Sequence, residues 1–173
     1  MPLSFYKPTP ANTGCCISIN ASLANQAFYL RMLKQASWDA KAKTGSFKEN
    51  VEKPEKNVVV KLSTTEVGAI LDCIETNRKA TGYHRNEEGA TTFDFYPFMR
   101  KIAGEEGEPE KTVQVGFAVN VTKNAGKENA QKFALALTYA EARVLKEYLI
   151  FNLKKIFHSL DVVPRKKSEP NES

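Results

Sequence analysis

One pattern occurs twice in this chain, and it constrains the fold more than any other feature. Residues 57–66 read Asn-Val-Val-Val-Lys-Leu-Ser-Thr-Thr-Glu, and residues 132–141 read Lys-Phe-Ala-Leu-Ala-Leu-Thr-Tyr-Ala-Glu, 75 positions later. In each run apolar residues recur at every second position (Val58, Val60, Leu62; Phe133, Leu135, Leu137), the period of a half-buried strand. A hydroxyl residue then stands three positions before a glutamate, Ser63 before Glu66 and Thr138 before Glu141. That spacing is a capping box, in which the hydroxyl accepts from the N3 amide and the carboxylate reaches back to the cap amide. A helix is expected after each. Two copies of several strands followed by one helix predict an α+β fold of tandem strand-strand-strand-strand-helix repeats. The antiparallel sheets carry their helices on one side, as in an intramolecular pseudo-dimer.

The remaining segments fit this frame. Residues 1–13, with Pro2, Pro8 and Pro10, predict an extended arm. Ile17, Ile19, Ala21 and Leu23 alternate with polar residues as a first strand, and residues 28–37 form a second with Phe28, Leu30 and Met32 on its core face. Residues 38–47 suggest a turn and a short third strand, 48–56 a charged loop, and about 64–77 the first helix. Repeat one thus spans 14–78 and repeat two 81–158, forming a single domain over 14–158. In repeat two, residues 86–89 suggest a hairpin loop, 104–110 an acidic solvated loop and 112–122 the clearest strand. The last helix is expected over about 139–158, followed by a disordered polar tail over 159–173. Its core stripe is Leu145, Tyr148, Leu149, Leu153, Ile156 and Phe157. Val144, Ile150 and Phe151 fall outside that stripe, so a second face should meet the first helix or another subunit.

Catalytic signatures are sparse. The chain has two histidines, His84 and His158, neither beside a nucleophile, and it contains no glycine-rich phosphate loop, GxSxG or HExxH. Cys15, Cys16 and Cys73 have no zinc spacing and form no disulfide framework. No enzyme, metal or cofactor is expected, and no membrane partner, because no apolar run approaches spanning length. The cysteine usage and the lack of a signal-peptide hydrophobic region suggest a reduced intracellular protein.

Charge points elsewhere. The net charge of +5 is divided as +4 over residues 1–50, −4 over 51–110 and +5 over 111–173. A basic first segment favours a polyanion. Within it Tyr29, Arg31, Lys34, Trp38, Lys41, Lys43 and Phe47 fall inside nineteen residues, and repeat two has Phe93, Phe95, Tyr96, Phe98, Arg100 and Lys101. Single-strand binding needs cations that follow phosphates and aromatic faces on which bases stack. By alternation about half of these aromatics belong to the core. Lys34 shares the parity of Phe28, Leu30 and Met32, so it reaches the outer face only through a bulge.

The strand-helix order, the capped junctions and the basic-aromatic sheet resemble the Whirly fold and its single-repeat relative, the positive cofactor four type of transcription coactivator. Tyr6-Lys7-Pro8-Thr9-Pro10, Asn12-Thr13-Gly14, Lys34-Gln35-Ala36-Ser37-Trp38-Asp39 and Lys43-Thr44-Gly45-Ser46-Phe47 are similar to bacteriophage-encoded relatives of that coactivator, of the T5 type. The architectural likeness covers about residues 14–158 and the motif likeness about 6–47. The resemblance implies a non-enzymatic protein that binds single-stranded DNA with little sequence preference, on sheets opposite the helices. It further implies a setting in phage DNA replication, recombination or transcription, in the host cytoplasm. Arg31, Lys34, Lys41, Lys43, Arg100 and Lys101 are the expected phosphate contacts, and Tyr29, Trp38, Phe47, Tyr96 and Phe98 the expected stacking platforms. RNA binding by the same face, a protein–protein interaction module and self-association through the last helix stay open. The lysine-glycine-lysine-alanine-alanine-leucine motif of plant Whirly proteins is missing, so their large assemblies are not implied.

Overall fold

Each alternating run folds as a strand with one face in the core. The computed structural model describes residues 1–85, 87, 89–103 and 109–161. Strands β1 (Leu3–Lys7), β2 (Cys15–Ser22), β3 (Ala27–Lys34) and β6 (Asn57–Leu62) form a four-stranded antiparallel sheet in the order β1-β2-β3-β6. Between its last two strands stand a separate hairpin, β4 (Ser37–Asp39) and β5 (Thr44–Ser46), and a 3-10 turn (Lys48–Asn50). Helix α1 (Thr64–Thr76) follows. The second sheet repeats the design: β7 (Ala80–Arg85), β8 (Ala90–Ile102), β9 (Lys111–Lys123) and β10 (Gln131–Leu137) pair in sequence order, and helix α2 (Tyr139–Asp161) closes the repeat. Both strands of the opening pattern alternate as expected, with Val58, Val60, Leu62, Phe133, Leu135 and Leu137 buried and Val59, Lys61, Lys132 and Ala134 exposed.

Two assignments change. The first strand of repeat one lies inside the expected arm, where Leu3 and Phe5 pack on the core and β1 pairs with β2. Residues 38–47 do not supply the third strand of that sheet. The buried Asn50 amide donates to the carbonyls of Lys34 and Gln35, at 3.0 and 3.1 Å, and so ends β3. Gln35 holds the 9–14 loop beside it: its Oε1 accepts from the amides of Thr9 and Gly14, and its Nε2 donates to Thr9 O, Asn12 Oδ1 and Ser37 O. The chain therefore leaves the sheet at residue 35 and returns at β6. Parts of the expected loops, residues 86, 88 and 104–108, lie outside the described residues, as does most of the expected tail, residues 162–173.

Both capping boxes form with matching geometry. Ser63 N donates to Glu66 Oε2 at 2.8 Å and Glu66 N to Ser63 Oγ at 3.2 Å. The equivalent bonds of Thr138 and Glu141 measure 2.8 and 3.2 Å. Ser63→Ala and Thr138→Ala are each expected to cost about 0.5–2 kcal/mol, by similar amounts, in denaturant unfolding. A large loss at one site and none at the other would contradict structural equivalence.

The second carboxylate oxygen of each box ties the two repeats together. Glu66 Oε1 lies 2.8 Å from Nε2 of His84, on β7 of repeat two. Reciprocally, Lys7 on β1 of repeat one donates to Glu141 Oε1. β1 and β7 are the matching edge strands of the two sheets. Each helix also lies against the other repeat: α1 touches β7 and β8 besides its own β3 and β6, and α2 touches β1 besides β9 and β10. A single core results, joining Phe28, Leu30, Phe93, Phe95, Val67, Ile70, Leu145 and Leu149.

Burial alone would raise the Glu141 pKa, but hydrogen bonds from Lys7 and from the amide and hydroxyl of Thr138 outweigh it and hold it below the usual carboxylate range. A carboxylate with a depressed folded pKa contributes stability above its unfolded value and loses it as pH falls through the folded one. Glu141→Gln should therefore lower the unfolding free energy most at neutral pH and flatten its acid limb below about 4.3, the unfolded value, the two proteins converging as pH falls through the folded value.

Helix α2 buries Leu145, Leu149 and Ile156 fully and Tyr148 and Leu153 in part. Phe157, expected in this stripe, is 51% exposed, and Phe151 does not pack on α1 but stands 57% exposed beneath Lys155, whose Nζ lies 4.3 Å from the ring centroid. α1 occupies the opposite flank, where Lys146 pairs with Glu75 at 2.9 Å.

Candidate nucleic-acid interface

The face of the first sheet opposite the core is uncharged polar and aromatic, with added cations. Register places Ser4, Ser18, Arg31 and Val59 in one row across the four strands. Asn20, Tyr29 and Lys61 form the next row, and Tyr6, Cys16, Leu33 and Asn57 the row on the other side. No residue in these rows is acidic. Arg31 is exposed and has no ion-pair partner among the described residues. Tyr29 is held by Asn25, whose Nδ2 donates to the phenol oxygen at 2.9 Å.

Two adjoining grooves cross this face. One, about 620 Å³, runs between the sheet and the 3-10 turn and is lined by Tyr6, Leu33, Arg31, Phe47 and Lys48 among others. The other, about 360 Å³, is lined by Asn20, Tyr29, Arg31 and Val59 with Pro2 and Ser18. Arg31, Ser18 and Pro2 belong to both. An exposed guanidinium between two recesses with aromatic walls is suited to a phosphate flanked by two bases, because Arg presents a planar fork of donors.

The structure sorts the expected site residues. Tyr29 and Arg31 are on this face. Phe47 lines the groove but is only 7% exposed, and its ring props Tyr6 at a centroid distance of 5.8 Å. Tyr6, 61% exposed, is the free ring there. Trp38 is half-buried on β4 opposite Gly45 and does not line either groove. Lys41 and Lys43 are exposed at the tip of that hairpin, where Asp39 Oδ1 accepts from Lys41 N at 2.8 Å. Lys34 pairs regularly with Cys15 and no bulge turns it outward. Its Nζ lies 5.1 Å from the centroid of the Phe133 ring, away from the grooves.

On the second sheet Tyr96 and Phe98 share the outer face, with Phe93 and Phe95 buried beneath. Asn120 Nδ2 donates to the Tyr96 phenol at 2.8 Å, and Lys79 pairs with Asp94 at 3.0 Å. This face therefore carries an acid that the first lacks. Arg100 and Lys101 follow a bulge between Phe98 and Met99. They lie on a two-stranded ribbon beyond the reach of β7 and β10, where Lys101 sits 3.5 Å from Glu110. Gly116 opposite the bulge has φ 152°, and a side chain there would clash with the Leu137 carbonyl, so β9 needs glycine where it crosses the end of β10.

The sequence reading missed Tyr6, Asn20, Lys48 and Lys61. Tyr6 and Lys61 are visible in the alternation of Leu3, Phe5 and of Val58, Val60, Leu62; Lys48 is placed by the 3-10 turn, which has no comparable signal. The thiols of Cys15 and Cys16 are pushed up by burial to about 12 and about 11, which keeps them protonated and poorly nucleophilic. No helix among the described residues is long and apolar enough to cross a membrane.

Two meander sheets of matched topology, each closed by a capped helix and fused through one core, define the class of fold. No protein-family model and no curated protein matches the sequence. Among solved structures, the chain is similar to the plant transcriptional regulator PBF-2, with 17% identity, a TM-score of 0.60 and coverage of 98% of this chain and 97% of that one. It is similar to WHY1 from Arabidopsis thaliana at 15% identity, with a TM-score of 0.59 and 97% of both chains covered. It is also similar to MRP1/MRP2 of Trypanosoma brucei at 15% identity, with a TM-score of 0.58 and coverage of 95% of this chain and 88% of that one. At these identities the likeness is one of fold, and the α+β Whirly architecture expected from the sequence is the one found.

Proposed function

We infer that this chain is a non-enzymatic, single-stranded DNA-binding protein of low sequence specificity, and that the outer face of the first sheet is its principal contact. The observation that carries this reading is the pair of adjoining grooves sharing Arg31, walled by Tyr6 and Tyr29 and free of acidic residues. Fold similarity to a transcriptional regulator supports it, as does the resemblance of residues 6–47 to phage-encoded coactivator relatives. On that finer likeness the protein works inside the cell, in phage DNA replication, recombination or transcription. A gel shift with a labelled single-stranded oligonucleotide tests the reading. Unlabelled single-stranded DNA should displace the probe, and duplex of the same sequence should compete poorly. Stronger competition by RNA would move the assignment to RNA, and absence of any shift would overturn it.

Self-association in this reading uses the exposed apolar side chains of α2: Val144, Phe151, Phe157 and Leu160. Phe151→Asp should lower the sedimentation coefficient at constant protein concentration while changing unfolding free energy by no more than about 0.5 kcal/mol, as expected of an exposed site. An unchanged coefficient would remove Phe151 from any subunit contact.

A further inference from the structure

Lys34 faces away from the grooves, yet its surroundings have the character of an anion site. A cavity of about 330 Å³ opens at the seam between the two sheets, and it is lined by Lys34 and Lys132 together with Asn12, Thr13, Gly14 and Phe133. No carboxylate lines it, and neither lysine has an ion-pair partner among the described residues. Its polar wall is fixed in advance. The buried Gln35 grips Thr9, Asn12 and Gly14, Thr13 N donates to Thr9 Oγ1 at 3.0 Å, and Asn12 is held at φ 57°. Lys34 is oriented by the Phe133 ring beneath its ammonium. Two ammonium groups lining one cavity without a counterion favour a bound anion.

The position says which anion. Lys34 is adjacent in the chain to Leu33, which lines the larger groove of the first sheet. Lys132 alternates outward on β10, in register through Thr122 with Thr92, on the face that carries Tyr96. The cavity therefore brings residues of β2 and β3 in repeat one against β10 of repeat two, with one lysine from each repeat. We propose that it holds a backbone phosphate of a single strand passing from the first sheet to the second, so that one protomer engages a strand with both repeats. This rests on the single-stranded DNA reading above and extends it to the seam.

The test compares Lys34→Gln/Lys132→Gln with the unsubstituted protein on two lengths of oligo-dT. A 6-mer lies near the low end of the roughly 4–16 nucleotides that one OB-fold, a different single-strand-binding module, occupies, and a 30-mer exceeds that range. The expected result is a several-fold weaker 30-mer complex with a salt slope shallower by about 0.7, one phosphate's share, and an unchanged 6-mer complex. Arginine at both positions should restore the slope. Binding of both lengths with the original slopes would overturn the seam site and leave the first-sheet interface standing. Failure of the unsubstituted protein to bind either length would overturn both. Should the double variant lose its cooperative melt, Lys132→Gln alone, at an exposed side chain, decides the question on the same slope.

Discussion

Truncating Leu149 to alanine is expected to lower the free energy of unfolding by about 2–5 kcal/mol, measured by urea titration with an unchanged slope. Leu149 is fully buried, on the stripe that α2 shares with Leu145 and Ile156, and belongs to the core that joins both sheets and both helices. Its deletion leaves a void that the surroundings cannot fill by collapse, because elements from the two repeats meet around it. Since small domains have only about 5–15 kcal/mol of net stability, the variant should unfold as one cooperative unit at much lower denaturant. Two separate transitions would show instead that the repeats keep independent cores. A loss under about 1 kcal/mol would contradict the burial.

Arg31→Glu should weaken the complex with single-stranded DNA by about 1.5–3 kcal/mol, the worth of a charged hydrogen bond, or roughly 10- to 150-fold in Kd. Arg31 is exposed, lines both grooves and lies between Ser18 and Val59 on adjacent strands. Reversal removes the donor fork and sets a carboxylate against the phosphate. It leaves the core packing untouched, so the melting temperature should stay within a degree or two. Fluorescence anisotropy with a labelled oligonucleotide measures the effect. An unchanged Kd would transfer the interface away from the first sheet.

Much of this architecture is written in local patterns. Val58, Val60 and Leu62, and Phe133, Leu135 and Leu137, alternate because one face of a strand meets the core, and Ser63 and Thr138 cap helices through bonds within four residues. Such features need no knowledge of distant chain. The same alternation already set Lys34 inward with Met32, and the regular pairing with Cys15 kept it there. Features that depend on docking were not legible. β1 was hidden among prolines, because its strand character comes from pairing with β2. Phe47 read as a free platform, but residues 48–50 turn back over β3 and bury it against Tyr6. Phe157 fits a helical stripe by spacing, yet it lies on the last turns of α2 and stays exposed. The close approach of Glu66 to His84 and the hydrogen bond from Lys7 to Glu141 arise only once each helix crosses to the other repeat's edge strand.

These two contacts run across a core that both repeats share. Each capping carboxylate uses one oxygen to start its own helix, and its other oxygen lies against the edge strand of the opposite sheet. The helices thereby occupy the inner side of both sheets, and the outer faces remain available to a ligand.

The most direct test of this account is an equilibrium titration of a single-stranded oligonucleotide by the unsubstituted protein at several salt concentrations. Log Kobs should fall linearly with log salt, with a slope of about −0.7 for each phosphate neutralised, and a duplex of the same sequence should bind more weakly at every salt. Affinity that is flat from low to physiological salt, or equal for duplex and single strand, would contradict a phosphate-and-stacking interface on the first sheet.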